Sequence, residues 1–191
     1  MTIVPNWAPY QILAGPADVY LAATGTAFPV VNTTPDPEDW TNIGRTEGGV
    51  NVQHSNTVQL ITSDQNTGPI KALRTDEGLE ISFSLIELTL ENYGKVLNDA
   101  TVATAATPNR KTINLHQGYN VALFAMLVRS YSPYGAFNGQ YQVPVVCQTD
   151  QPQVAYTKQD KAVLASTWTA LEDLTASTDA ERFGQLVAQT S

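Results

Sequence analysis

The chain has 191 residues, 42% of them hydrophobic, and this size lets one domain bury its own core without a metal or a disulfide. Its net charge of −8 and its ten scattered Lys and Arg residues disfavour tight binding of nucleic acid, which depends on cationic contacts to phosphates. Cys147, the single cysteine, rules out an intramolecular disulfide, and no apolar run reaches the roughly 20 residues of a membrane helix. The start of the chain lacks the pattern of a secretory signal, so we expect assembly in the cytoplasm and no membrane partner.

The first segment, residues 1–16, contains three prolines. Proline has no backbone donor for a helix or a central strand, so an extended N-terminal arm is predicted there. A strand is predicted over 17–23. The Pro-rich segment that follows, 25–39, is predicted to be a loop whose acidic residues are simply solvated.

A long, half-buried strand is predicted from Val50 onwards, where apolar and polar residues alternate. Its apolar face includes Val50, Val52, Val58 and Leu60. Its polar face consists of Asn51, Gln53, Ser55, Thr57 and Gln59.

Two turns are predicted after this strand. Turn residues over 64–68 indicate a long β-hairpin with a returning strand over 70–75. Glu77 and Gly78 indicate a second turn before a strand over 79–85. The three strands are therefore expected to form an antiparallel meander.

A short helix is predicted over 90–98, with Thr89 as its N-cap and apolar residues at helical spacing. Gly94 weakens this helix by about 1 kcal/mol relative to Ala, so tertiary packing must hold it. The Thr- and Ala-rich segment 99–111 is predicted to be a loop.

Three later strands are predicted. In residues 119–128, apolar side chains occur at both odd and even positions. Both faces of that strand must therefore be covered, by the helix, a second sheet or another subunit. Alternation over 141–148 predicts a strand, and Pro144 indicates that it lies at a sheet edge. The last strand is predicted over 162–171.

The C-terminal tail, residues 175–191, contains a capping-box pattern over 178–181 that predicts a short amphipathic helix. This helix docks either on its own domain or on a neighbour. Residues 17–174 are predicted to form one domain. About seven or eight strands with one flanking α-helix indicate a mainly β fold, a β-sandwich or barrel with a long β-hairpin.

The sequence shows no arrangement of residues that would support catalysis. It has two histidines, His54 and His116, and contains no phosphate-binding, dinucleotide-binding or catalytic motif. In the alternation of its strand, His54 falls on the apolar face. This position is more typical of a core or interface histidine than of a catalytic one. We therefore expect no enzymatic activity, no catalytic residue, no cofactor and no metal site.

Four sequence motifs occur in a characteristic order. Residues 17–97 contain ADVYLAATGTAFP, DWTNIGRTEGGVNV and LRTDEGLEISFSLIELTLENYGKVL, and KAVLASTWTALED follows later. In this order and spacing they resemble the major tail tube proteins of long-tailed bacteriophages, especially those of actinobacterial hosts.

The resemblance implies a tail tube protein fold and a structural role in the virion. Subunits of that family form hexameric rings that stack into the conduit for DNA ejection, and strands of neighbouring subunits close an inner barrel. The implied partners are further copies of the chain and the tape-measure, tail-tip and tail-terminator proteins, while DNA passes through without specific binding.

The polar face of the long strand is the candidate lining of such a tube. No basic residue occurs between Arg45 and Lys71, and a neutral or acidic wall lets DNA slide because it does not trap phosphates. We therefore expect Asn51, Gln53, Ser55, Thr57 and Gln59 to face the lumen; the alternative is an ordinary solvent-facing side of a strand. The hairpin turn and the N-terminal arm are candidates for contacts between rings. The turn residues in question are Asp64, Gln65 and Asn66.

Two other functions fit the same composition. The first is the inner tube of a contractile phage tail or of a secretion system. The second belongs to a different class, a carbohydrate-binding β-sandwich in which Trp7, Trp40 and Trp168 would stack on sugars.

Overall fold

The chain folds into a mainly β structure, which confirms the predicted fold class. The computed structural model describes residues 15–131, 137–154, 156, 158 and 161–190; most of the predicted N-terminal arm lies outside these residues. In chain order the elements are β1 (Ala17–Ala23), β2 (Thr41–Asn42), β3 (Thr46–Ile61), β4 (Lys71–Leu85), α1 (Leu90–Val96), β5 (Val102–Ala106), β6 (Asn109–Ile113), β7 (Phe124–Ser130), β8 (Gly139–Gln148), β9 (Gln153–Val154), β10 (Leu164–Ala170) and β11 (Gln185–Ala188).

One large antiparallel sheet dominates the structure. Its strand order is β2-β1-β7-β8-β10-β4-β3, with β11 attached to β8 and β9 attached to β10. Side chains from β1, β4, β7, β8 and β10 meet in one buried cluster, so the sheet curls around a single main core. At its centre Phe124 packs edge-on against the fully buried Trp168, with ring centroids 5.8 Å apart.

The second face of β7 is covered by residues 24–40, which we call the cover loop. Trp40 in this loop is 3% exposed and packs with Phe28 over Ala125 and Leu127. The indole N–H of Trp40 donates to the carbonyl of Ala27 at 3.2 Å. The sequence left open whether the helix, a second sheet or another subunit covers this strand, and the structure places a loop of the same chain there.

Buried polar side chains of the sheet hold the cover loop in place. Arg129 is 3% exposed and donates to the carbonyls of Val31, at 3.1 Å, and of Thr33. Gln140 is fully buried and donates to the carbonyl of Pro29 at 2.7 Å. The loop has few ladder bonds of its own, so these side chains satisfy its backbone acceptors. The acidic residues of the loop are exposed, as predicted.

The predicted meander is wrong, because β4 is one continuous strand. Glu77 and Gly78, the predicted turn, lie within the ladder opposite Asn56 and Ser55. A Cβ at position 78 would lie 2.7 Å from the hydroxyl of Ser55, so glycine serves close packing here. The hairpin therefore consists of two long strands.

Helix α1 begins as predicted, since the side chain of Thr89 accepts from the backbone N–H of Asn92 at 3.1 Å. It ends at Val96, two residues before the predicted end. A Cβ on Gly94 would lie 2.5 Å from the carbonyl oxygen of Ala100, so the residue that weakens the helix also lets the chain turn back over it. The predicted loop over 99–111 is also wrong, because β5 and β6 pair there as a small hairpin.

Strand β8 is an interior strand, and its predicted edge position is wrong. It pairs with β7 on one side and with β10 and β11 on the other. Pro144 lies between the stretch that pairs with β11 and the stretch that pairs with β10, at an irregularity of the ladder to β7. A proline is tolerated there because no ladder bond needs its missing donor.

The C-terminal helix is replaced by a 3-10 turn at Asp179–Glu181 and by β11. Thr178 makes no side-chain capping bond to this turn. Gly184, at φ +98°, brings the backbone so close to β8 that a Cβ would lie 2.0 Å from the carbonyl oxygen of Gln142. Of the two docking alternatives, this segment therefore takes the one on its own domain.

We predict that Trp40→Ala lowers the free energy of unfolding by about 3–5 kcal/mol, because it removes the large side chain over the second face of β7. Urea denaturation measures this change. The matched control is Val30→Ala in the same loop, since Val30 is 66% exposed and its truncation should change stability by less than about 0.5 kcal/mol. Equal effects of the two variants would contradict the covering role of Trp40.

Candidate functional site: an open sheet face and a projecting hairpin

The hairpin of β3 and β4 extends far beyond the core. Its base is anchored by the buried residues Leu79, Ile81 and Phe83. Residues 53–77, which we call the distal hairpin, are exposed almost throughout. Because a strand rises about 3.3 Å per residue, this part of the hairpin projects roughly 30 Å.

The distal hairpin carries apolar side chains that belong to neither hydrophobic cluster of the described chain. Val58 and Leu60 share one face of the strand, as the alternation predicts, yet they are not buried. A ladder irregularity after Thr57 places Leu73 opposite Gln59, so apolar residues occur on both faces. An isolated two-stranded hairpin is marginal in water, and clustered exposed apolar residues mark interaction sites. We call the following residues the apolar tip: Val58 (47% exposed), Leu60 (57%), Ile61 (36%), Ile70 (55%) and Leu73 (43%).

The five predicted lumen residues share one face of the sheet, which is exposed. Residues in register across a ladder lie on the same face, so this face extends onto β4 and β10. The pairs Asn51–Ser82 and Gln53–Glu80 continue to Thr167 and Thr169 of β10. We call this surface the open face, and its residues are Asn51, Gln53, Ser55, Thr57, Gln59, Asp76, Glu80, Ser82, Ser84, Thr167 and Thr169.

Six of these residues were not identified from the sequence. The alternation of Glu80, Ser82 and Ser84 was visible, but the expected turn at Glu77-Gly78 separated it from the long strand. Thr167 and Thr169 join the face only through pairing with a strand some 85 residues earlier, which alternation alone does not reveal. The face is therefore wider than one strand.

Carboxylates dominate the charge of the open face. Asp76 and Glu80 are exposed on it, and the carboxylate of Asp150 beside it accepts from the hydroxyl of Thr167 at 3.3 Å. In β3, β4 and β10 as described, the one cation without a carboxylate partner is Lys71 at the far end, because Arg74 pairs with Glu77 at 3.3 Å. Up to Thr57 the face therefore presents hydroxyl, amide and carboxylate groups and repels anions, while Leu73 lies on it farther out, opposite Gln59.

Strand β3 is also the last strand of the sheet. Its outer edge pairs with no other strand in the part of the chain that the structure describes. Such a long free edge is a template for pairing with another chain. The structure thus brings together a free edge, an open polar face and an exposed apolar tip on one hairpin.

The predicted contact residues Asp64, Gln65 and Asn66 lie in the exposed turn at the end of this hairpin. The hydroxyl of Ser63 donates to the side-chain carbonyl of Gln65 at 2.7 Å and accepts from its backbone N–H at 3.2 Å. The turn is therefore ordered by local hydrogen bonds. Contact with another ring remains a prediction.

Other candidate residues from the sequence have different positions. His54 is exposed and borders a cavity of about 470 Å³ between the hairpin and the C-terminal segment, so of the two positions expected for it, core or interface, the structure excludes the core. Trp40 and Trp168 are 3% and 0% exposed, which prevents them from stacking on a sugar. Trp7 lies outside the described residues. Among the residues described, no three His, Cys, Asp or Glu side chains form a group that could hold a metal ion.

Comparison with known proteins assigns no family to this chain. A scan against models of protein families and a search of curated proteins both find no match. Within the described ranges, no helix has the length and hydrophobicity to cross a membrane. The function is therefore inferred from the surfaces described above and from the sequence motifs.

We predict that Leu60→Ser changes the free energy of unfolding of the unassembled protein by less than about 0.5 kcal/mol, because the distal hairpin adds nothing to the core. Ile81→Ala in the same hairpin should lower it by about 2–5 kcal/mol, since Ile81 is fully buried. Chemical denaturation of both variants measures the difference. A large loss of stability in Leu60→Ser would mean that the apolar tip packs within its own subunit.

Proposed function

We propose that this protein is a major tail tube subunit of a long-tailed bacteriophage. Copies form hexameric rings, and the rings stack into a hollow tube through which DNA leaves the virion. The observation that carries the proposal is the open face, a polar surface across three strands that no described residue covers, with carboxylates and almost no free cation. The order of the sequence motifs supports the same assignment.

The open face has the chemistry that a DNA conduit needs. Lys and Arg on a wall would bind phosphates and hold the DNA, whereas Asp76 and Glu80 repel them. Short neutral side chains such as Ser82 and Thr167 leave a smooth surface between the carboxylates. In this arrangement the open face lines the lumen, and the residues predicted from β3 form its longest row.

The free edge of β3 supports assembly into closed rings. Pairing of this edge with a neighbouring copy satisfies its backbone donors and acceptors and extends the sheet across subunits. When the last copy pairs with the first, the sheet becomes a barrel without edges. The distal hairpin, projecting roughly 30 Å beyond the core, then reaches toward the next ring.

The remaining parts of the proposal follow from the resemblance to tail tube proteins. The protein assembles in the host cytoplasm and becomes part of the phage tail. Its partners are other copies of itself and the tape-measure, tail-tip and tail-terminator proteins, and it needs no cofactor.

Electron microscopy of the purified protein tests this function. After concentration and incubation, negative-stain images should show hollow tubes or six-fold rings. Tail-tip components should accelerate their formation, because stacking needs a nucleus. Protein that stays monomeric even with these components would contradict the proposal.

We predict that Gln53→Lys combined with Ser55→Lys permits tube assembly but slows DNA ejection. The added cations on the open face would hold phosphates, with an effect of roughly tenfold that weakens at high salt. Ejection kinetics from virions carrying the variant measure it.

The matched control adds the same charge elsewhere, through Thr104→Lys with Ala106→Lys on the exposed strand β5. Virions with this control should eject DNA at the normal rate. Normal ejection from the Gln53 and Ser55 variant would remove the lumen assignment.

A further inference from the structure

The main core is open on one side, where two adjoining cavities lie between the base of β3 and the strands opposite it. The smaller cavity has a volume of about 240 Å³, and the larger, which His54 borders, has a volume of about 470 Å³. Tyr141 and Leu186 line both cavities, so the two form one continuous groove. We call it the β3–β11 groove.

Both walls of this groove are apolar. On one wall, Val50 and Val52 of β3 are half-buried. On the other wall, Tyr141 of β8 is in register with Val128 of β7 and with Leu186 of β11, so these three side chains share one face. Val50, Val52 and Tyr141 pack against the main core, yet the described chain leaves them partly exposed. An exposed apolar groove of this kind marks a binding site.

The charges beside the groove are paired with one another, which indicates an uncharged occupant. In the larger cavity, Asp179 and Glu172 both contact the guanidinium of Arg182, at 2.8 Å and 3.5 Å. Glu77, on the hairpin side, contacts Arg74 at 3.3 Å. Burying a charge is costly unless it is paired, so a neutral apolar segment that leaves these pairs intact fits the groove best.

The chain itself supplies a segment with this chemistry. Residues 1–14, which we call the N-terminal segment, lie outside the described residues, and the sequence has no charged side chain before Asp18. Pro5 and Pro9 favour an extended backbone, which suits a groove between strands. The larger apolar side chains of the segment are Ile3, Val4, Trp7, Tyr10, Ile12 and Leu13.

The N-terminal segment is attached to the described chain at the groove. Gly15, the first described residue, lines the smaller cavity. An extended chain spans about 3.3 Å per residue, so Trp7 can lie up to roughly 26 Å from Gly15. The step along β3 from Val50 in the smaller cavity to His54 in the larger one is only about 13 Å. Both cavities are therefore within reach of the segment.

We propose that the N-terminal segment binds in the β3–β11 groove of its own chain. Ile12 and Leu13 occupy the smaller cavity beside Gly15, and the indole of Trp7 occupies the larger one. Attachment at the edge of the groove gives the segment a high effective concentration, which favours its own chain over a second copy. In this arrangement His54 lies at the interface between the segment and the sheet.

The bound segment leaves the assembly surfaces free. It covers the face of β3 that carries Val50 and Val52, and neighbouring residues of a strand point to opposite sides, so the open face stays uncovered. The inference is compatible with the tube function but does not rest on it. It assigns the N-terminal segment to its own subunit, whereas the sequence made the arm a candidate for contacts between rings.

Disulfide formation within the unassembled protein tests the docking. Burial raises the pKa of the Cys147 thiol, and Cys147→Ala removes it from the assay. In that background, Ala8→Cys is combined with His54→Cys in the larger cavity, and dilute protein is oxidised mildly. The matched control combines Ala8→Cys with Gln53→Cys, because Gln53 is the exposed neighbour of His54 on the open face. The intramolecular disulfide should form about tenfold faster with His54→Cys, because docking raises the effective concentration.

Acrylamide quenching of tryptophan fluorescence gives a second readout. Trp40 and Trp168 are buried, so quenching in the full chain reports mainly on Trp7, and the wild-type protein should show little of it. Leu186→Asp should release Trp7 and raise the quenching, because Leu186 lines both cavities and is itself 50% exposed. Leu174→Asp, the same change at a leucine that is 79% exposed and lines neither cavity, should leave the quenching low.

Adding Trp7→Phe to Leu186→Asp should remove the increase in quenching. This control separates release of the N-terminal segment from unfolding around Trp40 or Trp168. An increase that persists without Trp7 would count against the docking.

Three further results would overturn the proposal. They are strong quenching of the wild-type protein, equal rates of the intramolecular disulfide in the two double variants, and disulfide-linked dimers in place of the intramolecular product. The last result would mean that the segment of a second copy occupies the groove. None of these measurements involves rings or tubes, so failure of the docking leaves the tube function untouched, and failure to form tubes leaves the docking untouched.

Discussion

The ladder between β3 and β4 determines how this molecule presents its surfaces. At the base, Val52 faces Ile81 and His54 faces Leu79, so buried residues of β4 fix the register. A slip by one residue would turn every side chain of the hairpin to the opposite face. The distal hairpin has no core of its own and inherits this register. The composition of the open face, the position of the apolar tip and the length of the free edge all depend on it.

The two halves of the sheet differ in whether their outer face is covered. Over β1, β7 and β8, the cover loop excludes water, and Arg129 and Gln140 satisfy its backbone. Over β10, β4 and β3 no part of the described chain forms a cover, and most side chains up to Thr57 are polar. Under the proposed function, the covered side needs no partner and the open side serves the assembly.

Local alternation predicted part of this arrangement, and non-local pairing accounts for the rest. The polar row of β3 was recognised because its period of two lies within one stretch of sequence. Glu77 and Gly78 have the composition of a turn, yet Asn56 and Ser55 oppose them in the ladder and keep the strand extended. Thr167 joins the open face only because β10 pairs with β4. In the segment that precedes β7, the side chain of Asn98 forms hydrogen bonds with backbone groups that a strand would otherwise use in its ladder.

A helical reconstruction of assembled tubes by electron cryo-microscopy tests the central claim most directly. The account predicts a hollow tube in which Gln53, Thr167 and Glu80 line the lumen and the edge of β3 pairs with a neighbouring subunit. It also places the apolar tip between successive rings. A reconstruction with the open face on the outside of the tube, or buried between subunits, would contradict the account.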